Sequence, residues 1–435
     1  MPRRRKRRRF TLRLTGRTAR LAAVVFLVLL AAVVIGCVWR SDDSPALPEP
    51  PTAVEPLPAL ERIEGWVPSW CDEAALVQEA ADAGCTGVLF FHASVAEDGS
   101  VSLEDEPGLR RGVQAARARG LHCWLTATNH GGSLARPLSE AGINAHVHSL
   151  LAAFQRSGCS HLDLDYESLS GAQLAALANS VPAIAGSLPG DARLSLTLQP
   201  CDEALRPEQL PAYRALLASP HIYTIRLMAY DYHWKGSLPG ALYPLAAFKR
   251  LIAAYPQHRG KLTLCLPLYG YDWPRPDAAG IPAADTITLR EVPALARQSG
   301  FVAAWMESEA ELAVQTGPPR HWIAAPSLPA LKHRAIAALD GGVPAVAFWH
   351  LGCGNLRGAV SACSRTGEAP LPFAAPSVAG WAAWTNPWRE QACRRVVPAQ
   401  GESLEAVGRR ENVERFTLYR YNEDWTPGSP VYIPR

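Results

Sequence analysis

The chain has no C-x-x-C pair, and His92, His122 and His130 stand at no metal-ligand spacing. Both absences argue against a structural zinc or a dithiol redox centre, so neither a metal nor a cofactor is expected. Acidic residues are missing from the first twenty positions, where ten residues are Arg or Lys. The whole-chain net charge of +3 is therefore a tail property, and by subtraction residues 21–435 sum to about −7. That balance excludes a basic, nucleic-acid-binding body. Met1–Arg9 alone would read as a nucleic-acid or nuclear-targeting patch. It is followed at once by Leu21–Trp39, a stretch without a charge, close to the length that crosses a bilayer as a helix. A basic flank before an apolar run is positive-inside membrane targeting. The membrane, not nucleic acid, is the expected partner of this end.

Val34-Ile35-Gly36-Cys37 resembles a bacterial lipobox, an uncleaved signal anchor fits equally well, and Arg7-Arg8-x-Phe10 is similar to a twin-arginine signal. All three place the remainder outside the cytoplasm, in a bacterial cell envelope, anchored by residues 21–39 or by a lipidated Cys37. The expected division is a basic region 1–20, the apolar segment 21–39 and a linker 40–59, whose proline-rich part, 45–58, spaces the next domain from the membrane. With Cys37 lipidated, nine cysteines remain in an oxidising compartment, an odd number. Cys353, Cys363 and Cys393 are placed to supply one disulfide, whereas Cys85, Cys123, Cys159 and Cys265 sit in or beside apolar runs and are expected as buried thiols.

From Ile63 a short apolar strand followed by an amphipathic helix repeats, which predicts a parallel sheet. The expected strands are 63–70, 87–91, 122–126, 161–167, 193–199, 224–230, 261–269 and 345–349. Helices are expected at 72–83, 108–119, 144–156, 172–180, 207–217, 244–255 and 328–340, several opened by Asp72, Ser327 or Pro244. Eight such units predict an α/β fold of the (β/α)8 TIM-barrel type over residues 60–372. The excess length falls at 274–325, between the seventh and eighth strands, where 286–289 and 301–306 suggest a small α/β insertion.

In such a barrel, working residues lie at the C-terminal strand ends. The fourth strand carries Asp163, Asp165 and Glu167, which strand alternation places on one face, roughly 6–7 Å apart. Three neighbouring carboxyls push at least one towards its protonated form, and a proton held near neutrality is what a general acid needs. A solvated acidic edge strand and a hard-cation site are the alternatives. Other strand ends carry Trp66, Asn129, the run Met228-Ala-Tyr230-Asp231-Tyr232, and Trp349. Tyr230 and Trp349, each seen alone, read as core packing; His233 and His350 read as hydrogen-bonded supports.

Ser160-x-x-Asp163-x-Asp165-x-Glu167 resembles the D-x-x-D-x-D-x-E strand of family 18 glycoside hydrolases, the chitinase and endo-N-acetylglucosaminidase family, with Ser160 replacing its first Asp and Tyr166 where many chitinases have Trp. Met228-Ala-Tyr230-Asp231 is similar to the family's M-x-Y-D motif, and Trp349 to the Trp of its closing strand. An insertion before the eighth strand is common in these barrels and makes one wall of the substrate groove. The resemblance implies retaining, substrate-assisted hydrolysis at an N-acetylated sugar. Glu167 is then the acid, Asp165 orients the acetamido N–H, Asp163 shares a proton with Asp165, and Tyr230 binds the acetamido oxygen. Asp231, Trp349, Trp66, Asn129 and Tyr232 are the expected substrate contacts.

After a connector, 373–394, residues 395–435 contain Gly401-Glu-Ser-Leu404, Asn422 and Gly428-x-x-Val431-x-Ile433-Pro434, which resemble a LysM module of β-α-α-β form that binds N-acetylglucosamine glycans. The expected partner is an N-acetylglucosamine-containing polysaccharide, of peptidoglycan type ahead of chitin. A chitinase acting on exogenous chitin and a non-catalytic wall-binding scaffold are the alternatives. Nothing in the sequence sets an oligomeric state.

Overall fold

The computed structural model describes residues 59–275, 283–381, 389, 393–422 and 425–434, all within one unit, Pro58–Arg435. The expectations for the basic tail, the apolar segment with Cys37 and the proline-rich linker lie outside the described residues. No described helix is long and apolar enough to cross a membrane.

The first strands are β1 (Arg62–Pro68), β2 (Gly87–Val95), the short antiparallel β3 (Val101–Leu103), β4 (His122–Thr128), β5 (His161–Asp165), β6 (Leu194–Leu198), β7 (Ile222–Met228) and β8 (Leu262–Pro267). There follow β9 (Tyr269–Pro274), β10 (Asp285–Thr288), β11 (Val302–Met306), β12 (Glu311–Thr316) and β13 (His321–Ala325), then β14 (Ala345–Trp349) and β15 (Ser377–Val378). β1, β14, β8, β7, β6, β5, β4 and β2 are neighbours in that order, and β1 also pairs with β2. The eight parallel strands therefore close into a (β/α)8 barrel.

Period-two alternation explains both faces of the wall. Outward residues such as Leu125, Leu162, Leu164, Leu196 and Leu227 are buried under the helical ring, each worth roughly 1.5–3 kcal/mol of burial. Inward residues are unusually polar: Thr126, Asp163, Ser195, Thr197 and Arg226 hydrogen-bond to one another inside the barrel. Two helix starts are capped as the sequence predicts: Asp72 accepts from the Ala75 N–H and Ser327 from the Ala330 N–H, while Pro244 precedes its helix without a side-chain cap; Ser170 with Gln173 adds a reciprocal capping box.

Several boundaries differ from expectation, the extension of β2 to Val95 among them. β5 stops at Asp165, so Tyr166 and Glu167 belong to the following turn and not to the strand. β8 ends at Pro267, and Tyr269 already opens the next sheet. The helix expected to end at Ser180 runs over Gly171–Ser187 through Pro182. Pro182 is exposed, so water can take the carbonyl it leaves unpaired, while the apolar register Leu174, Leu177, Val181, Ile184 continues across it.

The segment between β8 and β14, joined at one edge by β15 from beyond β14, forms a second sheet in the order β10-β9-β13-β12-β11-β15. At the C-terminus β16 (Cys393–Val396), helices Leu404–Arg410 and Arg415–Tyr421, and β17 (Val431–Pro434) make a strand-helix-helix-strand module. Val396, Leu404, Val407, Leu418, Val431 and Ile433 form its core. Asn422 ties that module together, donating to the carbonyls of Leu418 and Tyr432 and accepting from the Tyr432 N–H. The expectation of a disulfide among Cys353, Cys363 and Cys393 is corrected: no disulfide joins any of the nine described cysteines. Eight of the nine are buried, where an apolar wall suits a thiol.

Candidate active site

Phe91, Asp165, Glu167, Gln199, Pro200, Arg206, Met228, Tyr230, Asp231, Tyr269 and Trp349 line a cleft of about 220 Å³ at the C-terminal mouth of the barrel. Of the expected site residues, five meet here: Asp165, Glu167, Tyr230, Asp231 and Trp349. The other four do not, and each departure has a physical reason.

Asp163 lies one layer below, fully buried. Its Oδ1 accepts from Ser195 Oγ at 2.6 Å and Arg226 Nη1 at 3.0 Å; its Oδ2 accepts from Thr197 Oγ1 at 2.9 Å and Thr126 Oγ1 at 3.2 Å. The expectation that Asp163 shares a proton with Asp165 is corrected, because Asp165 Oδ1 is buried without a hydrogen-bond partner among the described residues. Trp66 is buried in the barrel, its indole N–H on Thr126 Oγ1 and its ring edge-on to Trp349 at 5.8 Å. It supports the Trp349 platform from below the cleft. Asn129 is also buried: its Oδ1 accepts from the Glu167 N–H at 2.9 Å, and its Nδ2 donates to the Glu167 carbonyl at 3.2 Å and to the Gly132 carbonyl at 2.6 Å. Both ends of its amide are committed to the backbone, which ties Glu167 in place. Tyr232 turns away from the cleft and lines a larger cavity, of about 1300 Å³, between the barrel loops and the C-terminal module.

Burial, then the charges of Glu167 and Asp163, hold the Asp165 carboxyl well above its ordinary range. Burial, then Asp231, raises Glu167. Both carboxyls are thus shifted towards their protonated forms relative to a solvated pair. Burial also pushes the Tyr230 phenol up, leaving its hydroxyl a donor. Asp231 has a left-handed backbone, φ +57°, which Asp tolerates better than most residues. This breaks the alternation and lets Tyr230 and Asp231, though adjacent, face one cleft. Asp231 Oδ1 accepts from the hydroxyls of Tyr269 and, at 2.9 Å, Tyr271. Trp349 stands edge-on to Phe91 with centroids 5.0 Å apart.

Sequence reasoning missed Tyr269, Tyr271, Arg226 and Glu64. The tyrosines reach the site only through the fold of the insertion sheet. Arg226 and Glu64 carried a signal: each is a charge inside an otherwise apolar barrel strand.

The fold and cleft define a (β/α)8 barrel with an acid pair at its catalytic mouth, under a tryptophan platform. No family model matches the chain. It is similar to the cortical fragment-lytic enzymes of Bacillus anthracis, 26% identical over 158 residues, and Bacillus cereus, 27% identical over 158 residues; each match covers 36% of this chain and 37% of the relative. The matched stretch thus spans little more than a third of those relatives. Similar solved structures include the Bacillus cereus spore cortex-lytic enzyme SleL, with TM-score 0.60 and 17% identity over 70% of this chain and 74% of that one. A Chromobacterium violaceum chitinase gives TM-score 0.62 and 16% identity over 69% and 98%. The family 18 chitinase of Cycas revoluta, solved with (GlcNAc)3, gives 0.57 and 16% over 70% and 99%. In fold, the chain is similar to family 18 chitinases and spore cortex-lytic enzymes.

Proposed function

We propose that the chain is a glycoside hydrolase of β-1,4-linked N-acetylglucosamine glycans, held at the outer side of a bacterial membrane by its N-terminal segment and working by a retaining, substrate-assisted mechanism. The observation that carries this reading is the pair of carboxyls, buried Asp165 and half-buried Glu167, both shifted towards their protonated forms, in one cleft with Tyr230, Asp231 and Trp349. Glu167 gives its proton to the glycosidic oxygen as the bond to the anomeric carbon breaks, and later takes one from the attacking water. The substrate's acetamido oxygen attacks the anomeric carbon. Asp165 receives the acetamido N–H, the Tyr230 hydroxyl donates to the acetamido oxygen, and Trp349 supports the sugar's apolar face. The negative charge of Asp231 near Glu167 favours recovery of the proton in the second half-reaction.

Peptidoglycan is the favoured glycan, supported by the membrane-targeting sequence and by the LysM-like residues of the C-terminal module. That module is read as a second glycan holder beside the cleaving one. The test compares the wild-type full chain in detergent with Glu167→Gln on purified peptidoglycan and on chitooligosaccharides, with products read by mass spectrometry. Loss of about 10²–10⁴-fold in rate is expected for the variant, with N-acetylglucosamine-ended fragments released from peptidoglycan by the wild type. Cleavage of chitooligosaccharides alone would make it a chitinase. Binding without cleavage of either would leave a scaffold.

A further inference from the structure

Beneath the cleft the barrel buries three charged side chains. Asp163 and Arg226 have no accessible surface, and Glu64 has 1%. Arg226 donates to Glu64 Oε2 through Nε at 3.2 Å and Nη2 at 2.8 Å, and to Asp163 Oδ1 through Nη1 at 3.0 Å. Its guanidinium carbon sits 4.6 Å from the Trp124 ring centroid. Replacing buried ion pairs by apolar side chains is often neutral or stabilising, so stability alone does not account for this one.

Asp163 accepts in each of its four hydrogen bonds. The Ser195 hydroxyl accepts from Arg226 and passes its own hydrogen to Asp163; Thr126 accepts from the Trp66 N–H and does the same; Thr197 adds a third hydroxyl. A proton on Asp163 would require one of these donors to turn away. Asp165, two residues on, is faced instead by Glu167 from the following turn, by Tyr230 beyond β7 and by Cys265 on β8, with Asp231 behind Glu167.

We propose that Arg226, oriented by Glu64, is a positioning residue of this centre: it holds Asp163 as a hydrogen-bond acceptor and so confines the exchangeable proton of the acidic cluster to Asp165 and Glu167. Its consequence for catalysis rests on the hydrolase reading; the proton distribution itself does not.

The sign of the test follows from charge. Arg226→Gln removes a positive charge from a cluster of acids, so every proton of the cluster is held more tightly and its apparent titration moves to higher pH. Glu64→Gln removes a negative charge while leaving Arg226 an acceptor, so the titration moves to lower pH. Arg226→Lys keeps the charge and returns the titration towards the wild type. Between about one and a half and two pH units are expected for Arg226→Gln, the order for one charge roughly 7 Å away at an effective dielectric of about 20, and about half of that for the more distant Glu64→Gln. Carboxyl ¹³C signals of the full chain are followed against pH, together with the alkaline limb of kcat/KM on chitooligosaccharides. Opposite displacements in the two Gln variants support the proposal. Coincident titrations in folded variants overturn it, and if Arg226→Gln does not fold, the direction seen in Glu64→Gln decides. Displaced carboxyl titrations in a protein that cleaves nothing would defeat the hydrolase reading and leave the proton confinement standing.

Discussion

The floor and the mouth of the barrel treat the same side chain in opposite ways. At the floor, Asp163 takes hydrogen bonds on both oxygens from three hydroxyls and a guanidinium. At the mouth, Asp165 Oδ1 is buried with no partner among the described residues, and Glu167 and Asp163 crowd it with like charge. The two residues share one strand and one face, so backbone alternation makes no distinction between them. Their chemistry diverges because β4, β6 and β7 bring donors to one level of the barrel and the turn after β5 brings acids to the next.

That contrast can be broken most severely by truncation. Asp163→Ala leaves Arg226 and Glu64 buried with their network opened, and a loss of about 3–5 kcal/mol in denaturant unfolding is expected. Asp165→Asn removes a carboxyl that has an unpartnered oxygen, and a change within about 1 kcal/mol is expected. Equal losses would erase the distinction between floor and mouth.

A smaller effect sharpens it through pH. Asp165 and Glu167 bind protons more tightly in the folded chain than in the unfolded one, because their carboxyls are raised. The native state therefore holds more protons, and stability falls as pH rises from the ordinary carboxyl range towards the raised values. Thermal unfolding between about pH 4 and pH 8 should show that slope, and Asp165→Asn should flatten it. An unchanged slope in the variant would remove Asp165 from the account.

The mildest change concerns placement. Asn129→Ala frees the Glu167 backbone from both of its ties, for which a cost of about 1–2 kcal/mol is expected. On the hydrolase reading kcat falls roughly tenfold while KM changes little, since the acid is present but misplaced. A change confined to KM would return Asn129 to a substrate-contact role.

Much of this was legible in the sequence. The repeat of apolar strand and amphipathic helix predicts the barrel because each strand must bury one face under its own helix. Asp72 and Ser327 mark helix starts through hydrogen bonds that span only three residues. The acidic strand, the Tyr230-Asp231 pair and Trp349 are likewise read from local spacing and from place at a strand end. What stayed hidden depends on separations that no local pattern encodes. Asn129 reaches Glu167 across 38 residues, Tyr269 reaches Asp231 across 38, and Arg226 reaches Glu64 across 162. Tyr232 was misplaced because the left-handed Asp231 resets the direction of the chain.

The sequence by itself determined the class of fold and the inventory of acids at the mouth, because hydrophobic periodicity and strand alternation act over a few residues. Only the tertiary structure decided which acid is held as an acceptor and which pair is shifted towards its protonated forms, because burial and the choice of hydrogen-bond donors are properties of the closed barrel.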